Sequence, residues 1–215
     1  KNEVLSDTGF QFRKYKSQKH KNLITKLLSN SLKICDIARN TSGFGGKSSL
    51  ITNTRIDDNQ IDIYKGRSII RYGIRSVFYF DFKDENITGR TRDRAKLGKK
   101  EKILIRKTGC PLTATFDDSS IYPEQSLYFL YDIDDNFHQY FILSLLNSTL
   151  INWLYINYFV TNLGSTPQLK NIDLDNIPIR ETDLIKQEPF IKLVNKILID
   201  KKTNQQADTT ELETQ

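Results

Sequence analysis

Methionine is absent from the 215-residue sequence, position 1 included. That absence leads to the expectation of a piece excised from a longer protein, in which function is to be sought at the level of a domain. Cysteine is nearly as scarce. Cys35 and Cys110 lie far apart and in no C-x-x-C pattern, so neither a zinc site nor a disulfide framework is suggested, and a reducing cytoplasm fits. The two histidines, His20 and His138, fall in a Lys-rich segment and at a helix start. With no Gly-x-Ser-x-Gly elbow beside them, hydrolytic catalysis has no candidate constellation and a histidine metal site is not expected. An uninterrupted apolar run is missing too. Residues 140–160 are the longest apolar stretch, but Ser144, Asn147, Ser148, Asn152 and Asn157 break it. A membrane span would not carry so many amides, so the stretch reads as a buried helix pair. No signal-peptide pattern opens the chain.

What is present is positive charge and aromatic side chains. Lys and Arg number 32 against 26 Asp and Glu, giving a net charge of +6 and a pI near 9.2, which points to a polyanion or an anionic surface as partner. The excess is uneven: residues 65–107 hold 14 basic side chains and five acidic ones, whereas the chain after Leu130 is acidic by comparison. Such a distribution implies a directed field with the tail facing away from the polyanion. Hydrophobic content of 38%, with 12 Phe and 10 Tyr, suffices for a core in one domain with an appendage or in two small ones.

Along the chain, an aromatic pair at Phe10 and Phe12 precedes Leu23, Ile24, Leu27 and Leu28, whose spacing predicts an amphipathic helix from Ser17 or Gln18 to Ser29. Residues 41–49 (TSGFGGKSS) resemble a phosphate cradle, but the outer glycine that a P-loop requires is Thr41 here, and no strand is expected before it. The remaining readings are a mobile loop whose amides and Lys47 meet DNA phosphates, or a plain surface turn. Strands are expected at 61–63, 68–71 and 76–82. Residues 84–102 read as a long basic loop or a short exposed helix, either in contact with DNA or simply solvated. Pro189, Phe190, Leu193, Val194, Ile197 and Leu198 predict an amphipathic C-terminal helix with Pro189 near its first turn. Beyond Lys202 the composition predicts disorder or the start of a longer helix.

The stretch 102–159 organises the rest. Ile103-Leu104-Ile105-Arg106-Lys107 reads as a strand ending on two cations, residues 108–111 as a turn, and 112–116 as the return strand. A third strand is expected at 126–131. Asp134-Asp135-Asn136 offers N-cap side chains to a helix carrying Phe137, Phe141 and Leu145 on one face. Asn147, tolerant of a left-handed C′ position, and Ser148, a ready N-cap, then break the helix before a second one bearing Trp153. Trp153 and Phe141 are expected in the core.

The order Lys102-Ile103-Leu104-Ile105-Arg106, Ser126-Leu127-Tyr128-Phe129, Leu143-Ser144-Leu145-Leu146-Asn147-Ser148 resembles the TaqI-like C-terminal specificity domain. Residues 64–72 upstream, and Pro167-Gln168-Leu169-Lys170 leading to Ile177-Pro178-Ile179 downstream, are similar to the same pattern, so that the resemblance covers roughly residues 32–198. That family supplies DNA target recognition in adenine-specific DNA methyltransferases and fused restriction-modification enzymes, and is similar in outline to recognition domains of type I specificity subunits. The resemblance implies a basic lead-in and helix over 1–31, a DNA target-recognition domain over 32–181, and a docking helix with a polar tail over 182–215. The expected fold is α+β: a twisted mixed or antiparallel sheet, a helix pair and the C-terminal helix.

The expected partners are double-stranded DNA and a methyltransferase or endonuclease domain in the same polypeptide or complex. Lys47, Lys65, Arg67, Arg71, Arg90, Arg92, Arg94, Lys99, Lys100, Arg106 and Lys107 are the candidate DNA-binding residues, as base readers or phosphate clamps. No catalytic or cofactor residue is expected in this chain, because the Asn-Pro-Pro-aromatic motif of an adenine methyltransferase is missing. S-adenosylmethionine, and Mg²⁺ if the parent cleaves DNA, would belong to a catalytic domain elsewhere. Two alternatives stand beside this reading. Asp81-Phe82-Lys83 with Asp62 upstream fits half of a Mg²⁺-dependent restriction-type nuclease motif, and a non-catalytic protein-docking module would need no chemistry at all. RNA binding through Tyr79, Tyr128 and Tyr131 lacks the ribonucleoprotein signature.

Overall fold

The computed structural model describes residues 15–160 and 166–214, so the Phe10 and Phe12 pair lies outside the described residues. The described residues begin with helix α1 (Gln18–Leu28), capped by Ser17, whose side chain accepts from the His20 amide. Strand β1 (Leu32–Lys33), helix α2 (Ile34–Ile37) and strands β2 (Arg39–Ser42), β3 (Gly45–Gly46), β4 (Gln60–Tyr64), β5 (Ile69–Ile70), β6 (Gly73–Ile74), β7 (Phe78–Asp81) and β8 (Ile87–Gly89) follow. Helix α3 (Arg94–Leu97) leads into β9 (Lys102–Arg106), β10 (Ala114–Asp117), β11 (Tyr122–Pro123) and β12 (Leu127–Tyr131). The helix pair is α4 (Gln139–Asn147) and α5 (Thr149–Leu154), continued by a π-helical turn, Tyr155–Phe159. Helix α6 (Asn171–Asp175), strand β13 (Pro178–Ile179), the long helix α7 (Leu184–Thr203) and the short helix α8 (Thr210–Glu213) complete the order.

The fold is α+β, built around an antiparallel sheet in the order β10-β9-β12-β2. Its inner strands are buried on both faces, which is why KILIR and LYFLY read as continuous apolar runs. Ile103, Ile105, Tyr128 and Leu130 face one core, with Phe141, Leu146, Ile151 and Leu154 of the helix pair, Ile24 of α1, and Val194 and Ile197 of α7. Leu104, Leu127, Phe129 and Tyr131 face a second core with Phe44, Ile63, Phe78 and Phe80. That core is closed by a smaller mixed sheet, β11-β4-β7, in which β11 runs parallel to β4 and β7 antiparallel. Helices and the small sheet thus cover opposite faces of the central sheet. Among the described residues, no helix is long and apolar enough to cross a membrane.

Several local expectations need correction. Helix α4 starts at Gln139 with His138 as its cap, because Asp134 spends its carboxylate on the Asn136 amide in a turn of its own. Asn147 is the last helical residue and does not take the left-handed conformation. Its carboxamide instead pairs with both backbone groups of Ala114 on the edge strand β10, at 3.1 and 3.0 Å. Ser148 serves as C-cap and N-cap at once: its hydroxyl donates to Leu145 O at 2.7 Å and accepts from Ile151 N at 3.1 Å. Trp153 is only partly buried, set edge-on against His20 at the margin of the core.

In α7, Pro189 lies in the second turn, since Asp183 caps the helix six residues earlier. The carbonyl that Pro189 leaves without a donor belongs to Ile185, which is 82% exposed and can be served by water. Beyond Lys202 the chain turns back into α8 and packs Leu212 against the helical core. Residues 84–102 hold β8 and α3, and Leu97 is fully buried. A strand does precede the glycine-rich segment, namely β2.

Candidate nucleic-acid interface

The glycines at 43–46 serve packing rather than a ligand. A Cβ on Gly43 would lie 2.2 Å from Pro123 O, and one on Gly46 would lie 2.7 Å from the Phe80 ring. The amides of Gly43, Phe44 and Lys47 donate to Leu127, Pro123 and Asn86 carbonyls, so these three have no proton left for a phosphate. Of the two readings of this segment, the one that relies on glycine amides is corrected accordingly: the glycines are buried, and Lys47, Ser48 and Ser49 project to solvent.

The candidate cations separate by what holds them. Arg106 is turned inward: its guanidinium donates to the Gly66 carbonyl at 2.8 Å and to that of Ile69, and burial, then Arg75, hold its pKa below the usual arginine range. Arg71 is clamped by Glu213 of α8 through Nε at 3.0 Å and Nη2 at 2.5 Å. Arg94 donates to Phe82 O at 2.8 Å and lies over the Phe82 ring. Lys99 pairs with Asp132 at 2.6 Å. These four fasten parts of the fold to one another.

Three others rest on the surface with partial support. Arg67 stacks 4.2 Å from the centre of the Phe78 ring and donates to Asn53, with Lys65 reaching toward the same ring. Arg92 contacts Ile87 O at 3.4 Å and Asp84 at 3.8 Å. Lys47, Arg90 and Lys100 are exposed and have no side-chain hydrogen bond or ion pair among the described residues. Arg90 also adopts φ +66°, in the left-handed region. Outside glycine that conformation costs roughly 1–2 kcal/mol, so tertiary structure holds it there.

Lys107 differs from all of these. Its ammonium donates to Ser42 Oγ at 2.6 Å and sits 4.2 Å from the Tyr128 ring centre, with Arg90 in electrostatic range. Burial, reinforced by Arg90, pushes its pKa down to about 8. Ser42 and Tyr128 had no signal in sequence as partners of a cation. They meet Lys107 because Tyr128 lies opposite Ser42 and Ile105 across the sheet, two residues short of Lys107 on its strand.

The carboxylates of the nuclease alternative share a sheet face. Asp62 lies opposite Tyr79 and Asp81 opposite Gln60, which makes the two acids diagonal neighbours. Each is neutralised locally, Asp62 by Arg55 and Asp81 by Lys83 at 2.7 Å. Among the described residues no group of three or more His, Cys, Asp or Glu is placed to hold a metal ion.

The sequence profile of the TaqI-like C-terminal specificity domain matches residues 61–179, from within β4 to the end of β13. No curated protein sequence is significantly similar to the chain. Among solved structures, the HsdS subunit from Thermoanaerobacter tengcongensis superposes with a TM-score of 0.53 at 13% identity, over 90% of this chain and 47% of that one. The type IIG restriction endonuclease BpuSI gives 0.59 at 11% identity, over 82% of this chain and 27% of that one. The type IIL restriction-modification enzyme MmeI, solved in complex with DNA, gives 0.56 at 10% identity, over 82% and 29%. At these identities the likeness is one of fold. The chain spans less than half the length of each of the three.

Proposed function

The chain belongs to the TaqI-like C-terminal specificity domain family, and from that premise we propose that it selects the DNA target of a restriction-modification enzyme whose catalytic centre lies outside it. Specificity domains bind DNA and associate with methyltransferase or endonuclease subunits. The observation that carries the reading is the family match over residues 61–179, which takes in β9 and β12 of the central sheet and the residues that carry Arg90 and Lys107.

In this reading the partner methylates adenine at N6, after flipping it from the stack, and holds S-adenosylmethionine; if it cleaves, it holds Mg²⁺. Exposed Lys47, Arg90 and Lys100 supply phosphate contacts and hence salt-dependent affinity. Arg67 and Arg92, only partly tethered, are the candidate base readers. Arg71, Arg94, Lys99 and Arg106 keep the recognition surface in shape.

Selection of random duplexes by the chain, at about 50 mM and about 200 mM salt, tests this. The expected result is one enriched motif that survives at the higher salt, since base contacts are not screened as counterion release is. Arg67→Ala and Arg92→Ala should relax one position each. Binding without any sequence preference at both salts would sink the reading and leave a docking module.

A further inference from the structure

Lys107 is fixed at both main-chain groups: its N–H donates to Ser126 O at 3.1 Å and its carbonyl accepts from Leu169 N at 2.7 Å. Of the three protons on its ammonium, one is given to Ser42 Oγ, and no other acceptor meets the group among the described residues. Ser42 passes its own hydroxyl proton to Gly43 O at 3.1 Å. Burial raises the pKa of the Tyr128 hydroxyl, with Arg90 and the Asn171 backbone pulling the other way, so the phenol keeps its proton. Arg90 stands in electrostatic range of both Lys107 and Tyr128 and has no partner of its own.

The acids nearby are occupied. Glu124, the acid in range of Lys107, accepts from Ser126 N at 2.9 Å and Oγ at 2.5 Å. Asp175, in range of Tyr128, accepts from Asn40 and Asn171, and Asp173 accepts from the Lys170 amide. The cluster therefore has two cations and a phenol with unspent donors, while Glu124, Asp173 and Asp175 keep their charge but direct their hydrogen bonds to Ser126, Asn40, Asn171 and the Lys170 amide.

We propose that Arg90, Lys107 and Tyr128, with Ser42 orienting the lysine, form a seat for one backbone phosphate of duplex DNA. The inference rests on the recognition reading and adds to it a single, chemically distinct contact. Arg90 remains charged throughout the accessible pH range, whereas Lys107, desolvated and repelled by Arg90, has a pKa of about 8 when free. A seated phosphate favours the ammonium and raises that pKa. Between the free and bound values the complex then holds more protons than its separated parts. Affinity is level below the free value and falls as pH rises above it.

The experiment is a titration of the full chain with a fluorescent random-sequence duplex, read by anisotropy across mildly acidic to alkaline pH. Wild type is expected to lose roughly tenfold in affinity above the free pKa, the scale of one charge-assisted hydrogen bond. Lys107→Arg, which keeps its charge, should bind with a flat profile. Lys107→Met should bind at the alkaline level at every pH, with its salt slope reduced by about one. Arg90→Ala, an exposed change, should lower affinity and move the midpoint upward, because the repulsion on Lys107 is gone. That variant keeps the test open if substitutions at Lys107 impair folding. Flat wild-type binding, or an equal alkaline loss in Lys107→Arg, overturns the seat while leaving recognition intact. No duplex binding at any pH or salt would instead remove the recognition reading, and the seat with it.

Discussion

At the scale of single residues, the most consequential polar group is Lys102, whose side chain is wholly buried at the start of β9. Its ammonium donates to Lys99 O and Ser119 O, each at 2.7 Å, and forms an ion pair with Asp117 Oδ2 at 2.7 Å. Two hydrogen bonds and the opposite charge of Asp117 together let a charge be buried that would otherwise be very costly. Desolvation nonetheless lowers the Lys102 pKa, with Asp117 pulling the other way. Lys102→Met should destabilise by about 3–5 kcal/mol in urea titrations, since it leaves Asp117 buried without its cation. Lys102→Met with Asp117→Leu should recover part of that loss. A single variant as stable as wild type would mean that water reaches the pair. His138 gives a pH signature. Its ring nitrogen caps α4 by accepting from Tyr140 N at 3.1 Å, and burial lowers its pKa. The unfolded chain therefore binds this proton more readily. The His138 contribution is fully present above a pH of about 6.5 and is lost as pH falls from there through the folded pKa. His138→Asn, which keeps a capping acceptor, should flatten that part of the stability profile; an unchanged profile would assign the titration to another group.

At the scale of elements, the helix pair and α7 form one layer whose polar side chains do much of the joining. Gln187 is fully buried in α7: its Oε1 accepts from His138 N, and its Nε2 donates to Asn136 O and Thr182 O. Asn147 and Asn152 fasten the pair to the β10 side of the sheet, Asn152 by accepting from Leu112 N. In the sequence Asn147 and Asn152 argue against a membrane span, and Asn147 for a helix end, but neither shows its strand partner, because a residue type says what a side chain can bond and not what it will meet. Phe141 and Trp153 differ for a similar reason. Phe141 is 3% exposed between sheet and α7, whereas Trp153 lies on the outer side of α5 beside His20. Phe141→Ala should cost about 3–5 kcal/mol and Trp153→Ala distinctly less. Thermal unfolding of the two variants decides the order, and a larger loss at Trp153 would contradict the packing described.

At the scale of the whole molecule, the cations form a field that only partly belongs to the surface. Residues 65–107 hold 14 basic side chains, yet Arg71, Arg94, Lys99 and Arg106 spend theirs on carbonyls and carboxylates of the fold. Lys100→Ala and Lys47→Ala should weaken all duplexes alike and each reduce the salt slope by about one, with unfolding midpoints unchanged. Arg106→Ala should lower the unfolding midpoint, because two carbonyls lose a buried donor. A salt-slope change from Arg106→Ala without loss of stability would place that guanidinium on DNA. Arg71 ties the acidic end of the described chain to the turn between β5 and β6 through Glu213, so the tail packs on the fold beyond the point where composition predicted disorder.

The sequence by itself determined the elements whose signal is local. Capping by Ser17 and Ser148, the continuous apolar runs of β9 and β12, the return strand β10 and the family pattern across 61–179 all depend on neighbours along the chain. Tertiary structure alone decided which cations remain free. Arg106 and Arg90 look alike in sequence, but one is half-buried and tied to the Gly66–Ser68 turn and the other projects from the end of β8. It also decided that the glycines of 43–46 are small because Pro123, Glu124, Phe44 and Phe80 crowd them, and that Lys107 shares its site with Ser42 and Tyr128. Long-range pairing sets those distances, and the range of a charge or hydrogen bond is measured through space, not along the chain.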